Sequence, residues 1–199
     1  MKLVDNSCAC KGGEKLSKVI LVAGPARSGK SEVAEGLAIA MGKTVMYVAT
    51  AIVDPTDLEW QDRIRQHQQR RPSNWQTLSV PTNLTPVLQT ADPKNCLLID
   101  SLGTWVANLL ELEESTWQET LNDLSESLLS SPADVILVAE EVGWGVIPAY
   151  PLGRKFRDRL GTLTRQVGAI ANPVYLVNNG YVMNLSQLGI TIPQFMSTF

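Results

Sequence analysis

His67 is the only histidine of the 199-residue chain, and arginines surround it at helical offsets: Arg63 four positions before, Arg70 three and Arg71 four after. These are the offsets at which side chains meet on a helix. Neighbouring guanidinium groups disfavour imidazolium, so they keep the ring neutral and nucleophilic, and they bind the phosphates of whatever it attacks. Read by itself, the stretch favours a plainer alternative, a solvated arginine-rich helix with an incidental histidine. A second group is stronger. Gly24, Gly29, Lys30 and Ser31 fit G-x-x-x-x-G-K-[ST], with Pro25, Ala26, Arg27 and Ser28 between the glycines. Glycines let the backbone wrap a phosphate with its N–H groups inward; Lys30 reaches the β- and γ-phosphates, and Ser31 offers its hydroxyl to Mg²⁺. A third candidate is Asp100, at the end of the apolar run CLLID. An acid there either holds Mg²⁺, directly or through water, or caps the helix starting near Ser101; beside a phosphate loop the metal role is favoured.

These residues need elements to hold them. Val19 to Ala23 is a short β-branched run that predicts a buried parallel strand ahead of the phosphate loop. Ser31 to Ala40 contains no proline and repeats Val33, Leu37 and Ala40 at helical spacing, so a helix follows and turns its positive end toward the phosphate. Thr44 to Ala49 reads as the second strand. Asp57 to Arg71 is a polar helix stopped by Pro72, on which Trp60, Ile64 and His67 share the apolar face, so His67 should look inward. A short strand over Gln76 to Val80 and a short helix over Asn83 to Thr90 come next. Strands are expected at Cys96 to Asp100, Asp134 to Ala139 and Val174 to Val177. Helices are expected over Leu102 to Leu112, Glu119 to Leu129 and Leu152 to Ala171. Such alternation means an α/β fold, a mainly parallel sheet with helices on both faces and right-handed crossovers.

Composition sets the bounds. With 44% hydrophobic and 19% charged residues, the chain suits one globular domain, 18–199, preceded by a polar, aperiodic stretch 1–17 read as a flexible extension. A formal net charge of -3 gives no general attraction to nucleic acid or anionic membrane. No apolar run approaches a membrane span, and the N-terminus lacks a signal-peptide core, so a cytoplasmic location is expected. Cys8, Cys10 and Cys96 are an odd set, which argues against a disulfide framework. No second closely spaced pair of Cys or His residues stands elsewhere to complete a site with the C-x-C, so reduced thiols are favoured over a metal site. Asp100-Ser101-Leu102-Gly103 also spells the D-x-x-G of regulatory GTPases, but no N-K-x-D guanine-reading motif occurs.

The segments GPARSGKS, YVAT, RIRQHQQRRPSNW, LLID with Asn108-Leu109-Leu110, EVGWGVIP and GRKFRDRLG together resemble the adenosylcobinamide kinase/adenosylcobinamide-phosphate guanylyltransferase family of cobalamin biosynthesis. The resemblance runs from about Val19 to about Gly180, and its R-I-x-x-H-x-x-x-R-P-x-x-W spacing, Arg63 to Trp75, is far more specific than a phosphate loop. It implies a RecA-like P-loop fold and a bifunctional enzyme. Such an enzyme phosphorylates the aminopropanol hydroxyl of adenosylcobinamide from ATP or GTP, then transfers GMP from GTP through a guanylylated histidine. By the same resemblance His67 is the nucleophile and Lys30 acts on the phosphates. The nucleotide lies along Gly24 to Ser31, beside Thr50, Ala51 and Ile52, and near Gln68, Gln69, Arg70, Arg71 and Asp100. Ser31 and Asp100 hold Mg²⁺, and the partners are corrinoid and nucleotide substrates with no nucleic acid. A homotrimer is implied too. Three places depart from the family pattern: Glu140 where Asn is usual, Ser79 near a usual Glu, and the pair Thr164-Arg165 in place of Asn-Gln. They leave a kinase-only or non-catalytic nucleotide-binding relative as the alternative.

Overall fold

The computed structural model describes residues 17–53 and 56–199, with the backbone alone at Trp60, Arg63 and His67. Six strands run parallel: β1 (Val19–Gly24), β2 (Thr44–Ala49), β3 (Gln76–Ser79), β4 (Asn95–Asp100), β5 (Asp134–Glu140) and β6 (Val174–Asn178). β7 (Tyr181–Asn184) pairs antiparallel with β6, and the sheet order is β3-β2-β4-β5-β1-β6-β7. β4 and β5 are near-continuous apolar runs because both of their faces are covered; the short β3 at the sheet edge is largely exposed.

The period of two divides the strand residues between two cores. On one side Ile20, Val22, Val45, Tyr47, Leu98, Ile136 and Val138 meet α1 (Lys30–Ala40), which lies across β1, β5 and β4. Ala34 and Ala38 are its buried contacts, while Ala40, expected on the apolar face, points to solvent. Small residues let the helix sit close to the sheet. On the other side Leu21, Val48, Leu97, Ile99, Val135 and Leu137 pack against α3 (Thr85–Thr90), α4 (Leu102–Asn108), α5 (Glu114–Ser130) and α6 (Pro151–Ile170). Trp105 of α4 and Trp117 of α5 are both buried, with ring centroids 5.9 Å apart. The polar α2 (Leu58–Arg70) completes the set ahead of β3.

Several expected boundaries move, each for a visible reason. α4 stops at Asn108 rather than Leu112: the N–H groups of Leu109 and Leu112 turn back only three residues, to the Val106 and Leu109 carbonyls, and buried Arg159, from α6, donates to the carbonyls of Leu109 (2.9 Å), Leu110 (3.2 Å) and Leu112 (2.7 Å). α5 starts five residues early, at Glu114, whose carboxylate pairs with the same guanidinium at 3.5 Å. Beyond Val177 the expected pattern ended, yet the chain makes β7, α7 (Leu185–Leu188) and α8 (Ile192–Met196). The hairpin turns on Asn179 (φ 50°) and Gly180 (φ 78°), the Asn-Gly pair favoured where two consecutive residues take positive φ.

The extension expected over 1–17 lies outside the described residues except for Ser17, which belongs to the domain: its hydroxyl donates to the Ser131 carbonyl. Cys8 and Cys10 also fall outside them. Cys96 is a fully buried free thiol, its pKa pushed up to about 12 by desolvation, so it is chemically inert. No described helix is long and apolar enough to cross a membrane.

Candidate active site

The phosphate loop leaves β1 at Gly24, in the middle of the sheet. A Cβ there would run into the Val177 carbonyl oxygen and the Ser28 side chain, so only glycine fits. Ser28 N–H donates to the Pro25 carbonyl at 3.3 Å, closing a turn. Gly29 at φ 90° then lets the chain enter α1 without strain, and Gly29 O accepts the helix's first bond from Val33 N–H. Lys30 is buried, and its Nζ donates to Pro25 O at 3.3 Å, so the ammonium sits within the loop it serves. Ser28 Oγ is buried without a hydrogen-bond partner, an open donor in the same cradle. Ser31 is half-buried at the start of α1.

Asp100 ends β4, two strands from β1 with β5 between them, roughly 10 Å across the sheet at ordinary strand spacing. Its register partner on β2 is Ala49, and the side chain lies on the α1 face, where Tyr47 Oη donates to Asp100 Oδ2 at 2.8 Å. Both burial and the Asp100 carboxylate push the Tyr47 phenol upward, so it stays a donor. Above the ring lies Arg71, its guanidinium carbon 3.3 Å from the ring centroid. Arg70 reaches α1 instead: it pairs with Glu32 at 3.1 Å and with Glu35 at 3.7 Å. Glu35 is buried one helical turn after Ser31. Desolvation raises its pKa, Arg70 opposes the rise, and the Asp100 charge adds to it.

The C-terminal end of α2 is therefore fastened to the phosphate-loop helix by Arg70, and Arg71 just beyond it sits on Tyr47 of β2, whose hydroxyl reaches Asp100. Expected as phosphate ligands, both arginines here hold protein partners, because α1 presents two carboxylates and β2 an aromatic face at their reach. Gln68 and Gln69 are exposed on the last turn of α2. The His67 and Arg63 side chains, with the expected inward orientation of His67, lie outside the described residues.

Of Thr50, Ala51 and Ile52, the first turns into the fold. Thr50 is fully buried; its hydroxyl donates to Ser101 O at 2.7 Å, accepts from Ser101 N–H at 2.9 Å and contacts Thr104 Oγ1. It ties the end of β2 to the β4–α4 junction, while Ala51 is half-buried and Ile52 exposed. The junction itself is a capping box between Ser101 and Thr104. Asp100 is therefore not the cap of α4.

Glu140 ends β5 beside Gly24, and its Oε2 accepts from Gly103 N–H at 2.8 Å. An asparagine carbonyl would serve the same donor, so this departure keeps the local bond. Thr164 spends its hydroxyl on the Leu160 and Gly161 carbonyls of its own helix, and Ser79 is exposed at the end of β3. No sequence motif marks Tyr47 as part of the site, whereas Glu35 stands four residues after Ser31 and hence on its helix face.

A phosphate loop entering a helix, with an acid at the end of a second strand and a strand inserted between the two, defines a RecA-like P-loop nucleotide-using transferase. Residues 20–185 match the family described as "Cobinamide kinase / cobinamide phosphate guanyltransferase", and the chain belongs to that family. It is 38% identical over 170 residues to the bifunctional adenosylcobalamin biosynthesis protein CobP of Pseudomonas aeruginosa, a match covering 83% of this chain and 95% of that one. It is 36% identical over 177 residues to the bifunctional adenosylcobalamin biosynthesis protein CobU of Escherichia coli K12, covering 81% and 96%. Among solved structures, one titled "Structural study of Project ID PH0250" from Pyrococcus horikoshii OT3 superposes with a TM-score of 0.53 over 86% of this chain and 87% of its own. At 6% identity that likeness concerns the fold alone.

Proposed function

We propose that one phosphate-loop site serves two reactions in succession on a corrinoid acceptor. In the first, the aminopropanol hydroxyl of adenosylcobinamide takes the γ-phosphoryl group of ATP or GTP, with Lys30 and the loop N–H groups stabilising the charge that builds on the phosphates. In the second, a neutral His67 nitrogen attacks the α-phosphorus of GTP; a P–N bond forms and the bond to pyrophosphate breaks. An oxygen of adenosylcobinamide phosphate then attacks the same phosphorus, the P–N bond breaks, and adenosylcobinamide-GDP leaves with the histidine restored. The observation that supports this reading is the fastening of α2 to the phosphate-loop helix through Arg70–Glu32 and to Asp100 through Arg71 and Tyr47, which ties the end of the histidine helix to the phosphate-loop helix.

Mg²⁺ fits the residues present. Asp100 Oδ1 has no hydrogen bond among the described residues, Ser31 offers a hydroxyl, and no described group of three or more His, Cys, Asp or Glu forms an all-protein cage. Mg²⁺ is commonly held in this way, by one or two protein oxygens together with nucleotide phosphates. When bound it neutralises phosphate charge. The remaining parts of the reading are a cytoplasmic location and a homotrimer. From Gln166 to Phe199 the chain has no charged residue, and Leu188, Ile192, Met196 and Phe199 are exposed there, a surface suited to self-association.

The test is incubation with GTP labelled at the α-phosphate, then denaturation. The protein should retain label that is lost in mild acid and kept in alkali, because a protonated imidazole is a good leaving group and a serine or threonine ester has no such route. His67→Ala should take up none while keeping kinase turnover. Acid-stable label, or equal loss of both activities in a folded variant, rules out the histidine route.

A further inference from the structure

We propose that the loop joining β5 to α6, Glu141 to Tyr150, is the seat on which the corrin ring of the acceptor rests. The proposal depends on the corrinoid reading above and adds the residues that select that substrate. Within seven residues the loop turns four large apolar side chains to solvent: Trp144 (66% exposed), Val146 (94%), Ile147 (70%) and Tyr150 (80%). Apolar exposure concentrated in this way marks a binding surface. The backbone beneath is held. Arg154 donates to the carbonyls of Pro148 (3.0 Å) and Ala149 (2.7 Å), Arg157 donates to Gly143 O, and Gly143 N–H donates to the Glu141 carboxylate. The apolar side chains therefore face outward from a fixed scaffold.

Its position selects the occupant. Glu141 N–H donates to Gly24 O at 2.9 Å, so the root of the loop is bonded to the first residue of the phosphate loop. Trp144 follows three residues later, within about 10 Å of chain even when fully extended. A nucleotide fills the phosphate loop, and the second reactant must bring its hydroxyl or phosphate to that point while the rest of it lies alongside. A corrin is a broad ring with apolar faces, and Trp and Tyr supply broad contact area with few torsions to freeze. A second copy of the chain fits less well, since a stable interface buries about 800 Å² per partner, more than four side chains offer.

Because adenosylcobinamide is coloured, equilibrium dialysis followed by absorbance measures its binding to the full chain directly. Trp144→Ala and Tyr150→Ala, both at exposed positions, should each weaken corrinoid binding about 10-fold and raise the KM for adenosylcobinamide in the kinase reaction alike, with Trp144→Phe restoring most of it. The KM for GTP and the rate of self-labelling without corrinoid should stay within about twofold. Unchanged corrinoid binding in both alanine variants overturns the proposal. So does a matching loss of GTP affinity, which would make the loop part of the nucleotide site, or a fall in oligomeric mass, which would make it an interface between copies. If the parent protein labels with GTP but binds no corrinoid, the loop proposal fails while the histidine chemistry stands; if it binds corrinoid but takes no label, the reverse holds.

Discussion

The guanidinium of Arg71 stacks on the ring of Tyr47 at 3.3 Å, and the hydroxyl of that ring donates to Asp100 at 2.8 Å. One aromatic side chain thus couples the end of the histidine helix to the candidate metal-holding acid. A desolvated cation–π contact is worth about 2 kcal/mol. Arg71→Ala should release α2 and slow self-labelling from GTP roughly 10-fold or more, while γ-phosphoryl transfer falls far less. Tyr47→Phe keeps the stack and should label nearly as fast as the parent. Rates of label uptake by all three proteins decide the matter: an unaltered rate in Arg71→Ala would show that the stack does not position the helix.

Lys30 is the buried cation of the phosphate loop, and Lys30→Ala removes its charge from a partly dry site, at a cost of several kcal/mol. Nucleotide affinity and both transfer reactions should drop by orders of magnitude together. Calorimetric titration with a nucleotide, alongside turnover, provides the check, and parent-like values for the variant would remove the phosphate-loop assignment.

Glu35 gives a pH dependence with a definite sign. Its folded pKa is raised above the ordinary 4.5, by desolvation first, and Arg70 stands at 3.7 Å, in ion-pair range but beyond a hydrogen bond. A raised pKa means that the folded state favours the protonated carboxyl. Its contribution to stability is fully present below the ordinary glutamate range and is lost as pH rises through the folded value. Glu35→Gln should therefore have the higher Tm at pH 8, with the gap closing toward pH 4. A variant less stable than the parent at pH 8 contradicts this sign.

Arg159 is 4% exposed, donates to three carbonyls between α4 and α5, and lies 4.8 Å from the Trp117 ring. Arg159→Ala takes a buried, multiply bonded guanidinium from the joint between α4 and α5, a loss of about 3 kcal/mol, or on the order of 10 °C in Tm. Lysine has a point charge in place of a planar fork and should recover only part of it. Thermal unfolding of both variants is the measurement; a shift under about 2 °C for alanine would mean that water takes over the carbonyls.

Much of this molecule was legible in the chain because the signals are local. The apolar runs that became β1, β2, β4 and β5, the glycine-bracketed turn at Gly24–Ser31, and the arginine spacing around His67 are properties of neighbouring residues. Backbone sterics, side-chain period and loop chemistry act over a few positions, so a linear reading captures them. Even the missed β6–β7 hairpin carried a local mark in Asn179-Gly180. Strand order is different. Nothing local says that β2 lies beside β4, and only that neighbourhood brings Tyr47 to Asp100, 53 positions away. The same holds for Arg70 choosing Glu32 and Glu35, for Thr50 turning inward to Ser101, and for Arg159 gathering the carbonyls that follow α4. Each of these depends on which surfaces the packed sheet and helices bring within about 3 Å, the range over which a hydrogen bond acts. That proximity is a property of the whole fold, so tertiary structure alone decided which partners the candidate site residues hold.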